Sequence, residues 1–169
     1  MELLPFICCG VIFLIAMYTD ARHQRIPNML TLPAAIGGVL YHIFLSGLSV
    51  GFFFSFKGLF LGLGILFIPF VLGGMGGGDV KLLGAVGCWL GASGVFNLFL
   101  YGALIGGVVA ITAMIKKGGF SRIKYFFMDI SWFLLIRKPM EADKNRDGFP
   151  YVVPLAGGYA AYLIWGPII

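Results

Sequence analysis

Residues 59–83 read LFLGLGILFIPFVLGGMGGGDVKLL: an unbroken apolar run from Leu59 to Leu72, a glycine-rich stretch, and then a single aspartate, Asp79, at the head of a second apolar run. In lipid the backbone must satisfy its own hydrogen bonds, which leaves helices and closed barrels as the only spanning forms. A barrel strand alternates apolar and polar residues at every second position. The run 59–72 does not alternate, and neither does Val11 to Met17. The sequence predicts membrane-spanning helices.

The rest of the chain has the same character. Of 169 residues, 60% are hydrophobic and 11% charged, with a mean hydropathy of +0.98. A soluble domain of this size leaves too much surface exposed to hide that apolar area. Spans are expected at about 3–19, 29–46, 52–72, 80–92, 95–115 and 150–167, against a need of about 20 residues per crossing. The predicted fold is all-α: a polytopic membrane protein of about six transmembrane helices forming a single domain over 1–169, with the glycine-rich stretch before helix four. The pairs Gly58/Gly62 and Gly102/Gly106 have the small-residue spacing of close helix packing. Leu3 to Met17 resembles the apolar core of a signal peptide. Glu2 stands where a basic residue belongs, however, and no small-residue cleavage site follows, so it is read as the first span.

Eleven of the 12 Lys and Arg residues fall in three segments: Arg22 and Arg25, Lys81, and the eight from Lys116 to Arg146. Six crossings put all three segments on one side. The positive-inside rule makes that side cytoplasmic, with both termini outside and a cytoplasmic segment of about 116–149. Lys57 is the exception, and a lysine near a span end can snorkel to the interface. Within the cytoplasmic segment, the apolar part Tyr125–Ile136 is short and holds Asp129 and Trp132. It reads as an interfacial amphipathic helix before helix six. The net charge of +5 comes from these topogenic residues, so no nucleic-acid partner is expected. Cys8, Cys9 and Cys88 lie in apolar stretches without a C-x-x-C pair and read as small buried hydrophobes. His23 and His42 have no ligand spacing. The stretch Asp143–Gly148 opens like a calcium loop, but Pro154 stands at its closing position. No metal site and no cofactor are expected.

Two acidic residues sit at span ends. Asp20 closes span one, and Asp79 opens span four on the same predicted face. Ionisable groups near membrane depth are costly and mark function by default. Read structurally, each is an interfacial charge, and Asp79 alone could be an N-cap. Read together, two carboxylates that share a proton can do general acid–base work. Like charge keeps one protonated while the other is ionised, so one takes a proton from water as the other polarises a carbonyl. Glycines before Asp79, in the pattern Gly76-x-Gly78-Asp79, leave room for another backbone to approach. The run lacks the spacing of a phosphate-binding loop.

Three segments carry a resemblance to a known family. They are Asp20-Ala-Arg-His-Gln-Arg-Ile26-Pro27-Asn28, Gly76-Gly-Gly78-Asp79-Val80-Lys81-Leu82, and Phe149-Pro150-Tyr151-Val-Val-Pro154-Leu-Ala-Gly157-Gly158. In this order they resemble the prepilin peptidases, membrane aspartyl proteases of the Gly-x-Gly-Asp type. The resemblance implies an inner-membrane aspartic endopeptidase with Asp20 and Asp79 as the catalytic pair. It would cleave the short basic leader of prepilin or pseudopilin precursors at the cytoplasmic face. Gly76 and Gly78 would shape the site, with Lys81 beside them. Pro27 and Asn28 would set the start of helix two, with Asn28 as its cap. Larger family members carry a four-cysteine zinc segment and also methylate the new N-terminus. This sequence looks like the short form without that segment, so methylation is not expected. The competing reading is a small proton- or cation-coupled transporter using the same aspartates; it is disfavoured because transport sites lie near the bilayer midplane.

Overall fold

The computed structural model describes residues 3–23, 26–71, 75–116 and 152–168, and every regular element among them is helical. There are five: α1 (Leu3–His23), α2 (Asn28–Ser46), α3 (Leu48–Val71), α4 (Gly77–Lys116) and α5 (Val152–Trp165). The first four are long and apolar enough to cross a membrane. Their lipid-facing sides carry Leu14, Leu32, Phe44, Phe53, Ile68 and many other exposed large apolar residues. A water-soluble protein would hide such side chains; here lipid covers them. The expected interfacial helix at 125–136 and nearly all of the segment 116–149 lie outside the described residues.

Expected spans four and five fall within one element. Over its 40 residues a straight helix would be about 60 Å long, twice a bilayer's hydrocarbon core. It is not straight. Gly91 has φ 70° and ψ −177°, a conformation closed to residues with a Cβ, and it breaks α4 into limbs at 77–90 and 92–116. The break expected between the spans 80–92 and 95–115 thus falls on one residue, Gly91, because glycine alone can turn the backbone so abruptly.

The contacts show what the break does. Phe54 lies beside Gly91, Gly58 against Gly87, Gly62 against the Leu83 carbonyl and Phe70 beside Gly77, so α3 and the first limb run antiparallel. The α2 helix runs parallel to that limb. Trp89 Nε1 donates to the Ala34 carbonyl at 2.7 Å, and His42 Nε2 donates to the Trp89 carbonyl at 2.9 Å. The second limb pairs with α5. Gly106 meets Pro154, Gly102 meets Gly158, and Ile168 N donates to Asn97 Oδ1 at 2.7 Å. Phe13 stacks on Tyr159 at 5.3 Å and Phe6 meets Tyr162 at 6.1 Å, which ties α1 antiparallel to α5. Tyr162 also reaches Gly94, at the start of the second limb. The second limb therefore begins at the Phe6 end of the bundle and returns toward the Asp20 end.

The core follows from these pairings. Leu82, Leu83, Val86 and Cys88 of the first limb are fully buried, and so are Val95, Leu98 and Val152. A methyl group on Gly58 would overlap the Gly87 carbonyl, so the backbones of α3 and α4 touch there. In lipid, where apolar side chains gain little by leaving the solvent, such close packing is what holds helices together. The glycine spacing anticipated in the sequence is used at this contact and again at Gly102.

Candidate active site

Asp20 and Asp79 are the two acidic residues among those described. Asp20 is partly buried, one residue after Thr19, whose hydroxyl donates back to the Ala16 carbonyl at 3.0 Å. The helix runs on to His23, so Asp20 stands near the C-terminal end of α1. That end is the negative pole of the helix dipole, an unfavourable place for a carboxylate. Arg22, in the last turn, donates from Nη1 to the Tyr18 hydroxyl at 2.8 Å.

Asp79 is only 8% exposed. The helix begins at Gly77, three residues earlier than span four was expected to start, so Asp79 belongs to the first turn of α4 and is not its N-cap. Its N–H donates to the Gly76 carbonyl at 3.2 Å. Its carboxylate faces the backbone amides of Gly76 and of Asp79 itself. First-turn amides have no intrahelical acceptor, and they favour negative charge. The Asp20 carboxylate acts electrostatically on Asp79. The last turns of α1 and the first turn of α4 thus bring both carboxyls to one end of the bundle.

The remaining predicted residues gather around Asp79. A Cβ on Gly76 would stand 3.3 Å from Asp79 Oδ2, so a side chain there would crowd the carboxylate. A Cβ on Gly78 would stand 3.0 Å from Ile26 Cβ and 3.3 Å from Ile26 N. Gly78 is therefore where the Ile26-Pro27-Asn28 stretch rests on α4. Lys81 Nζ donates to Asn28 Oδ1 at 2.9 Å, a second tie between the same two segments. Pro27, with φ −71° and ψ 142°, occupies the N-cap position of α2. Its carbonyl accepts from Leu30 N at 3.0 Å. Asn28 was expected to cap α2. It is instead the first helical residue, with no side-chain cap at this end, and its amide is turned to Lys81.

Of the third sequence segment, Phe149 to Tyr151 lie outside the described residues. Pro154 and Gly158 pack on the second limb of α4, so this stretch positions α5. Ile26 was quoted in the sequence only as part of a motif. Its contact with Gly78 had no signal of its own, since neither periodicity nor charge marks it. Cys9 and Cys88 are buried free thiols, and Cys8 is partly buried. No group of three or more His, Cys, Asp or Glu residues with metal-binding geometry occurs among the described residues.

The match to a family model settles the lineage of this arrangement. Residues 7–111, which include both aspartates and every residue gathered around them, match the type IV leader peptidase family. The chain belongs to that family. Among characterised leader peptidases, the prepilin leader peptidase/N-methyltransferase of Neisseria gonorrhoeae is 33% identical over 112 residues, covering 63% of this chain and 39% of that protein. The enzyme of the same name from Dickeya chrysanthemi is 35% identical over 114 residues, with the same shares covered. That of Aeromonas hydrophila is 34% identical over 105 residues, covering 59% of this chain and 36% of that protein. The chain thus spans well under half the length of the relatives it matches. No solved structure matches it.

Proposed function

We propose that this chain is an aspartic endopeptidase that removes the short basic leader of prepilin or pseudopilin precursors. It would act at the cytoplasmic face of the inner membrane, with Asp20 and Asp79 as the pair that activates water. The observation carrying this reading is that the last turn of α1 and the first turn of α4 set Asp20 and Asp79 at one end of the bundle, within the stretch that matches the leader peptidase family.

The chemistry follows from two like charges in a partly dry site. They hold one proton between them, so one carboxylate is free to take a proton from water while the protonated partner polarises the scissile carbonyl. Proton donation then passes to the leaving amine, and the pair is restored for the next turnover. Gly76 keeps a side chain away from the Asp79 carboxylate, which leaves space for an extended substrate backbone, and Gly78 lets the Ile26 stretch close on α4. Lys81, Asn28 and Pro27 hold the α2 entrance against α4 and shape the site at one remove. We assign peptide cleavage to these residues, with no metal or cofactor.

In this reading the chain crosses the bilayer six times, with α4 supplying two crossings joined at Gly91. Both termini lie outside, and Arg22, Lys81 and the segment 116–149 lie inside. A transporter using the same aspartates is the weaker reading, because both stand at helix ends on one face and not at mid-depth.

Co-expression with a candidate prepilin tests the proposal. Asp20→Asn and Asp79→Asn, made singly, are each expected to slow conversion of precursor to mature pilin at least about 100-fold, the span of general acid–base assistance. A chelator in the assay leaves the parent's rate unchanged. Processing by both variants at the parent's rate would sink the reading.

A further inference from the structure

At the opposite end of the bundle from the aspartates, a cleft of about 730 Å³ opens between α3 and the break in α4, lined by Ser49, Val50, Phe53, Phe54, Lys57, Ala92 and Ser93. Its α3 wall is one helical stripe, with residues four apart lying above one another. Phe54 fits against Gly91, and this contact holds the cleft open at the break. Val50 and Phe53 are exposed, at 65% and 61%, and form an apolar flank toward the lipid.

Lys57 sets the chemistry. It stands nine residues into α3, about 13 Å along the helix axis from its first residue, and its ammonium must be hydrated or paired. None of the residues lining the cleft is acidic. The two acidic residues described, Asp20 and Asp79, are at the other end of the bundle. A counter-charge for Lys57 is therefore not supplied by the walls. Ser49 and Ser93 line the same cleft, each in a first helical turn: Ser49 in α3, and Ser93 in the limb that begins after Gly91. Amides in such turns lack intrahelical acceptors and favour an anion. One cation, two hydroxyls, two helix starts and an apolar flank match a molecule with a charged phosphate and acyl chains.

We propose that this cleft binds one anionic phospholipid of the outer leaflet, with its phosphate at Lys57 and the two serines and an acyl chain along Val50 and Phe53. Nothing in the proposal involves the aspartates, and only the choice of leaflet rests on the orientation proposed for the chain.

Native mass spectrometry on the whole chain, released from phosphatidylglycerol-containing and from pure phosphatidylcholine nanodiscs, tests it. The parent is expected to retain one phosphatidylglycerol more strongly than phosphatidylcholine. Lys57→Gln is expected to weaken that retention about five-fold, the effect of one lysine near an anionic headgroup. Lys57→Arg keeps it. Equal retention of phosphatidylglycerol by the parent and Lys57→Gln would overturn the site, because the bound lipid would then belong to the basic face. Equal retention of both lipids by the parent would overturn the choice of an anionic headgroup.

Discussion

At Gly78 one added methyl group would reach within 3.0 Å of Ile26 Cβ, and neither partner is a flexible side-chain end. Gly78→Ala must therefore push the Ile26-Pro27-Asn28 stretch away from α4. Misplacement of about 1 Å in a catalytic constellation costs about 100-fold in rate. A shift of a few tenths of an ångström should lower processing about ten-fold while precursor binding persists, measured as kcat against KM on purified protein. Gly76→Ala should be milder, because its neighbour is a carboxylate oxygen that can rotate. The pair itself predicts a second outcome. A dyad that works with one proton loses activity when both groups are protonated and again when both are ionised, so the pH–rate profile is bell-shaped and its two limbs belong to the pair. Either single Asn variant removes that shape along with the rate. Asp20 and Asp79 were legible in the sequence because charge at the end of an apolar run is costly and conspicuous. The role of Asn28 was not, since an asparagine after a proline looks like a helix cap, and only the fold shows Lys81 within its reach.

Among the elements, α3 and the first limb of α4 make the closest pair. Gly58→Ala would drive a methyl into the Gly87 carbonyl, which has no side-chain freedom with which to yield. Overpacking of this kind costs about 1–3 kcal/mol. A lower midpoint of unfolding in detergent, with Asp20 and Asp79 intact, is the expected result. The spacing of Gly58 and Gly62 announced this contact, as did that of Gly102 and Gly106 on the other side of the bundle. The turn within α4 was announced only approximately. Apolar periodicity marks where a helix lies but does not record which glycine adopts positive φ, so the break was expected at 93–94 where Gly91 alone makes it. The start of α4 was likewise placed three residues late, because glycines read as breakers even where a first helical turn accepts them.

For the molecule as a whole, the distribution of Lys and Arg and the reversal at Gly91 point to the same arrangement. Reporter fusions give the check: an enzyme active only outside should work when joined after Gly47 or at Ala92, and one active only inside should work when joined after His23 or Lys116. A signal of the outside kind at Lys116 would mean that α4 does not double back across the bilayer. The apolar runs that become the four helices long enough to cross a membrane were legible from hydropathy. The order of packing was not, because which apolar face meets which is decided by side-chain shape and glycine placement across helices far apart in sequence.

The contacts between α3 and α4 work as an index. Phe54 with Gly91, Gly58 with Gly87 and Gly62 with Leu83 advance in step along the two helices, like teeth on facing racks. The height of Asp79 in the bundle is therefore set by notches four to twelve residues downstream of it, and not by the length of chain joining Val71 to Met75. A change of side-chain size at any notch, however distant from the reacting atoms, shifts the register on which the carboxylate's position depends.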